Sequence, residues 1–160
     1  MATYSFAQPV TSANGQTYIR LTEPATVDFD GLQPYAVYSN AAGRTMAVAL
    51  HNAAAKLSDA EKRILAALTQ HMAEWNLDPI LYEPLIKEGG HMRLWMSDKH
   101  PTVWWSEDRK RRKEPKTWDH CKLSARIVIE SIVLLEGGKW KLNCSLAQAM
   151  VQEIQFECPF

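Results

Sequence analysis

Net charge is missing from this chain. Eighteen Lys or Arg are balanced by eighteen Asp or Glu over 160 residues, which argues against a histone-like, wholly basic binder. Cysteine is also scarce. Cys121, Cys144 and Cys158 are odd in number and widely spaced, and the opening MATYSFAQPV has neither a basic start nor an apolar run. These features predict a reducing intracellular compartment, with nothing to separate nucleus from cytoplasm. No apolar stretch reaches the length of a membrane span. The longest, Ile127 to Leu135, is broken by Glu130, so a soluble chain with no membrane partner is expected.

Signatures of catalysis are absent too. There is no Walker-type Gly-rich loop, no His-x-Glu with paired cysteines, no His-Glu-x-x-His and no Gly-x-Ser-x-Gly. The five histidines are scattered. His120-Cys121, taken with His91 or His100, lacks the spacing of a zinc ribbon or finger, so these read as surface or internally bonded histidines and a buried free thiol. Asp98, Glu107, Asp108 and Asp119 are the residue types of a Mg-dependent nuclease, but among so many cations they more simply offset charge. The expectation is a protein that is not an enzyme and uses neither cofactor nor metal.

What the chain does have is an uneven distribution of charge. From Lys87 to Lys141 there are thirteen Lys or Arg against eight Asp or Glu, and the rest carries the matching acidic excess. Within that region runs Arg109-Lys110-Arg111-Arg112-Lys113, closed by Lys116 and bracketed by Trp104, Trp105 and Trp118. Five consecutive cations repel one another and cannot be buried. They suit a solvated loop and become useful opposite a polyanion such as a phosphate backbone. An indole adds stacking on any unpaired base, worth roughly 1 to 3 kcal/mol per base and indifferent to sequence. The plainer reading of the same residues is a solvated loop flanked by core tryptophans.

At 160 residues the chain is expected to form one domain, residues 1–160, large enough to bury about two thirds of its unfolded surface. Up to about Asn52 it reads as short strands. Asn14-Gly15 marks a tight turn, and a second hairpin joins Tyr35–Tyr38 to Thr45–Leu50, with Met46, Val48 and Leu50 on one face. Pro24 and Pro34 bound the segment between and keep it from being a central strand. Ser58-Asp59-Ala60-Glu61 has the spacing of a capping box, followed by a stripe of Ile64, Leu65, Leu68, Met72 and Trp75 that ends near Asn76. Glu61 is expected away from that stripe. Residues 79–90 read as a connector, with a short helical turn around Tyr82 to Lys87.

Strands return afterwards. Met92, Leu94 and Met96 alternate with Arg93 and Trp95, which places the latter pair on an outward face. Trp104 and Trp105 are adjacent, so in a strand one points in and the other out. Lys122 to Leu135 is the longest strand signal, and from Val128 both faces are apolar, which requires burial on both sides or a bulge. Gly137-Gly138 then turns into Trp140, Leu142, Cys144 and Leu146, alternating with Lys139, Lys141, Asn143 and Ser145.

The stretch from Ile127 to Val151 resembles the C-terminal hairpin of OB-fold single-stranded DNA-binding proteins of large DNA viruses. In these a hydrophobic strand passes through a Gly turn into a Lys-aromatic-x-aliphatic strand ending in Leu, Gln and an aliphatic, matched here by Lys139, Trp140, Leu142, Leu146, Gln148 and Val151. Lys141 stands where such proteins often have Gly, and Cys144 where they often have an aromatic. The resemblance implies a small β-barrel that coats exposed strands in viral DNA replication, recombination or repair. Such a barrel lines its groove with aromatics for bases and cations for the backbone. The candidate contacts are Arg109, Lys110, Arg111, Arg112, Lys113 and Lys116 on phosphates, Trp95, Trp105 and Trp118 stacking, and Arg93, Lys139 and Lys141 in support.

The expected fold is therefore mainly β (α+β): an OB-like small β-barrel with one amphipathic helix inserted. The expected partner is single-stranded DNA. RNA satisfies the same electrostatics, since no residue identifies a 2′-hydroxyl contact, and self-association is left open. Glu153, Glu157, Pro159 and Phe160 faintly resemble the acidic Pro-Phe tail by which bacterial single-strand binders dock partner enzymes. This sets a replication-protein contact through Phe160 beside the reading of a frayed or packed end. The alternative function is a virion assembly protein whose basic loop meets a partner or packaged genome.

Overall fold

Inward apolar and outward polar side chains alternate along the longest segments of the chain, and burying the apolar side closes them into a ring of strands. The computed structural model describes residues 4–13, 15–40, 43–50, 54–76, 81–87, 89–118, 121–135 and 138–153. Its elements are β1 (Val10–Thr11), β2 (Thr17–Asn40), β3 (Gly43–Ala49), α1 (Ala54–Met72), β4 (Leu81–Tyr82), β5 (His91–Met96), β6 (Val103–Trp105), β7 (Arg111–Arg112), β8 (Cys121–Leu134) and β9 (Lys139–Glu153). The protein is mainly β, with one helix among the described residues. None of the described helical residues forms a segment long and apolar enough to cross a membrane.

Five strands make the circuit. β2 pairs with β3, β3 with β5, β9 with β8, and β8 returns to β2, all antiparallel. The remaining seam, β5 on β9, is parallel and rests on the register pair Trp95↔Ser145. The ring is closed but uneven, because β9 is flanked on that side by β4 at Lys139–Trp140 and by β6 at Gln148–Met150. Ile19, Phe29, Met46, Val48, Leu94, Ile127, Leu142 and Leu146 point into one core, joined by Leu57, Ile64, Leu68 and Met72 of α1.

Both predicted hairpins of the first fifty residues form, and so does the one at Gly138, whose ladder runs to Leu134↔Trp140. The region is not a set of short strands, however. β2 runs for 24 residues straight through both prolines, and Ala25–Phe29 pairs with β8. Proline lacks an N–H, so it is tolerated where the ladder is already broken. Pro24 lies in the register shift between Arg20 and Ala25, and Pro34 borders the shift before Ala36. On β8 the buried set runs Cys121, Leu123, Ala125, Ile127 and Ile129, then jumps to Ile132. A register shift between Ile129 and Ser131 carries the jump, so the doubly apolar stretch is bulged at Glu130.

The capping box is not used. α1 begins at Ala54, which puts Ser58 inside the helix, and Glu61 joins the buried stripe of Leu57, Ile64, Leu68 and Met72. The Glu61 carboxylate, only 8% exposed, accepts a hydrogen bond from the Leu85 backbone N–H at 3.1 Å. It caps the connector and not its own helix. That connector contains strand β4 and a bend, not a helical turn at Tyr82–Lys87. The Tyr82 hydroxyl is buried without a hydrogen-bond partner among the described residues. Burial, then the Glu61 carboxylate nearby, push that phenol well above its ordinary range, and burial pushes the Cys144 thiol up to about 12.

Glu61→Ala is expected to lower stability by about 1 to 3 kcal/mol by orphaning the Leu85 N–H. Glu61→Gln keeps an acceptor and should cost clearly less. Urea midpoints of the two variants measure the difference, and equal losses would show that the bond contributes nothing.

Candidate nucleic-acid interface

The basic run is folded, not a loop throughout. Ser106 N–H donates to the Lys110 carbonyl and Arg109 N–H to the Ser106 carbonyl, both at 2.9 Å, with Arg109 at φ 63°. This tight turn returns the chain as β7, whose Arg111 and Arg112 sit opposite Trp105 and Trp104. Cross-strand partners share a face. The Arg111 guanidinium accordingly lies 5.6 Å from the centre of the Trp105 ring, and Arg112 Nε donates to the Lys113 carbonyl at 3.0 Å. Arg109, Lys110, Arg111, Lys113 and Lys116 are exposed, and Arg112 is half-buried.

The two adjacent tryptophans separate as strand geometry requires. Trp104 is 6% exposed, whereas Trp105 is half-buried and donates from Nε1 to the Gln148 side-chain carbonyl at 3.3 Å. Trp118 packs against the core with its ring centre 5.6 Å from that of Trp104. It buttresses Trp104. Beside Trp105 lies a cleft lined by Asp28, Asp30 and Arg126. Arg126 donates to both Asp28 oxygens, at 2.9 and 3.3 Å, and these bonds hold the Asp28 carboxyl below its ordinary value. Two carboxylates make that cleft a poor place for phosphate.

A second group forms on the outer face of β2, β3 and β5. Register pairs Tyr38 with Thr45, Thr45 with Trp95 and Trp95 with Ser145, so these residues make one row across the ring. In the next row Arg93 sits opposite Ala47, and its guanidinium lies 5.0 Å from the centre of the Tyr38 ring. The middle strand carries only the small residues Thr45, Ala47 and Ala49 on this face. Ala47 is 2% exposed and Arg93 reaches over the strand to Tyr38, so the open trough lies on the β9 side, beside Trp95. Tyr35 and Tyr38 are 50% and 48% exposed, and Tyr35 meets His91 edge to face at 5.3 Å.

The Trp95 indole lies across Gly43. A Cβ there would stand 2.5 Å from the ring, so the indole can occupy this place only over glycine. Thr45, Arg93, Trp95, Lys141 and Asn143 line a depression of about 220 Å³ that has no carboxylate in its wall. Arg44, next along β3, is paired with Glu114 at 2.8 Å, which ties the segment after β7 to this edge.

The structure therefore divides the candidates into two groups. Arg93, Trp95 and Lys141 come together on one face, with Lys139 exposed at the start of the same β9 strand. Trp105 pairs with Met150 near the other end of β9, with β7 and the basic run on the far side of β6. Lys141 and Met150 are nine residues apart on β9, roughly 25 to 30 Å at strand rise. Phe160 and Pro159 lie outside the described residues, as do Asp119 and His120. Among the described residues no three His, Cys, Asp or Glu side chains gather as a metal site, and the Cys121 and Cys144 sulfurs are buried.

Tyr35 and Tyr38 are additions that sequence reasoning does not single out, because an outward tyrosine in a strand resembles an inward one until the ring closes. No protein-family model, curated protein or solved structure matches this chain.

Proposed function

We propose that this protein is a non-catalytic single-strand binder of OB-like design that holds unpaired DNA without reading its sequence. In cells it would coat strands exposed in replication, recombination or repair, as the resemblance to the viral binders implies. OB folds are five-stranded Greek-key barrels that take oligonucleotides on the face of their second and third strands. Counted along the chain, the second and third strands of this ring are β3 and β5.

One observation carries the reading. On that same face Tyr38 and Trp95 flank a strand of small residues, with Arg93 and Lys141 beside them and no carboxylate in the depression. Bases can stack on the rings while the cations meet the backbone. The basic hairpin β6–β7 is then a phosphate-facing arm beyond the aromatic trough.

Fluorescence anisotropy of labelled oligo-dT and of a matched duplex, across a salt titration, tests this. Tight binding that favours oligo-dT is expected, with a log-log salt slope of about −0.7 per phosphate neutralised. Absence of binding at low salt would overturn the reading and favour the assembly function.

A further inference from the structure

A second groove lies around the ring from the aromatic trough, with a volume of about 730 Å³. Its walls include Tyr18 and Arg20 of β2, Lys99 and His100 from the turn after β5, Glu130 of β8 and Asn143 of β9. Two features suggest that it is part of a longer site.

The first is continuity. Asn143 lines both this groove and the depression beside Trp95, so the two share a wall. Register carries the surface onward: Asn143 pairs with Ser131, and Ser131 with Arg20, which makes a single row across β9, β8 and β2. At strand spacing, Arg20 lies roughly 10 Å from Asn143 across that row.

The second is charge and placement. Arg20 and Lys99, with His100, face the groove against one carboxylate, Glu130. The Arg20 guanidinium stands 5.3 Å from the centre of the Tyr18 ring. The Ser97 hydroxyl accepts from the backbone N–H groups of both Lys99 and His100 at 3.2 Å, which bends the chain so that these residues reach the groove. A cationic groove with an aromatic side wall is the pattern that tracks a phosphate backbone and stacks bases.

We infer that the bound single strand continues past Asn143 into this groove, with Lys99 on one phosphate and the exposed Arg20 turning from the Tyr18 ring to the next phosphate as a base takes its place on that ring. This rests on the single-strand reading. It adds a path: the strand wraps from β3 and β5 over β9 and β8 to β2, so a short oligonucleotide fills only the trough and a longer one fills both parts.

The test compares oligo-dT of about 6 and about 16 nucleotides, which span the site sizes that OB folds use. The paired variant Arg20→Gln/Lys99→Gln is expected to bind the short oligonucleotide like the unaltered protein. On the long one it should lose affinity, with a salt slope shallower by about 1.4 for two lost phosphate contacts. Crosslinking of a bromodeoxyuridine-substituted long oligonucleotide should label the peptide bearing Tyr18.

Equal affinity of the variant and the unaltered protein for the long strand, without a crosslink at Tyr18, would overturn the path and leave the trough as the whole site. Equal losses at both lengths would also overturn it, by placing Arg20 and Lys99 within the short site. An unaltered protein that binds neither oligonucleotide would overturn the single-strand reading itself.

Discussion

Trp95→Ala and Tyr38→Ala should each weaken oligo-dT binding by about 5- to 150-fold, the equivalent of losing one stacked base at roughly 1 to 3 kcal/mol. Both rings lie on the outer face, with Tyr38 half-exposed and Trp95 half-buried, so their removal leaves the inward core of Met46, Val48 and Leu94 in place. Urea midpoints should therefore move little. Trp118→Ala should behave in the opposite way, lowering stability while sparing stacking, because its ring supports Trp104. Gly43→Ala offers an independent check. It drives a Cβ into the Trp95 indole and, at φ 135°, also strains the backbone, so it should reproduce part of the Trp95→Ala loss together with a lower urea midpoint. Anisotropy and urea unfolding on the same four variants decide the matter: wild-type affinity in both Trp95→Ala and Tyr38→Ala would remove the trough from the binding path.

The second large effect concerns salt. Neutralising Arg109 to Lys113 together is expected to flatten the log-log salt slope by about 2, not by the 3.5 or so that five phosphate contacts would supply. Arg111 lies over Trp105, and Arg112 is half-buried and bonded to the Lys113 carbonyl, which leaves Arg109, Lys110 and Lys113 as the projecting cations. Affinity for oligo-dT at low salt should fall accordingly, with Trp95-dependent stacking intact. A slope identical to that of the unaltered protein would place the hairpin off the strand's path. A change near 3.5 would mean that Arg111 and Arg112 leave their present contacts when the strand binds.

The part of this protein that was legible in its sequence is the part set by neighbours along the chain. Alternation over Met92–Met96 and Trp140–Leu146 correctly separates inward from outward residues, because a strand's side chains alternate whatever it pairs with. The same local rule splits Trp104 from Trp105 and detects the irregularity near Glu130. Local rules fail where a distant partner decides. Ser58 and Glu61 have capping-box spacing, but the spacing recurs within a helix, and it is the Leu85 N–H, 24 residues on, that claims the carboxylate. Pro24 and Pro34 argue against a continuous strand until β8 and β3 supply ladders whose register shifts accommodate them.

For the site, the chemistry could be read from the sequence but the grouping could not. The basic run and the tryptophans are visible as residue types, yet charge density draws attention to Arg109–Lys113, while the trough is assembled from residues as far apart as Thr45, Trp95 and Lys141. Composition, alternation and the positions of the cations are carried by the chain itself, since each depends on covalent geometry and nearest neighbours. Which cations meet which rings, that Tyr38 faces outward beside Arg93, and that Trp105 shares its cleft with Asp28 follow only from strand register and ring closure. Those are set by burying all the apolar faces at once, a condition that no single segment can express.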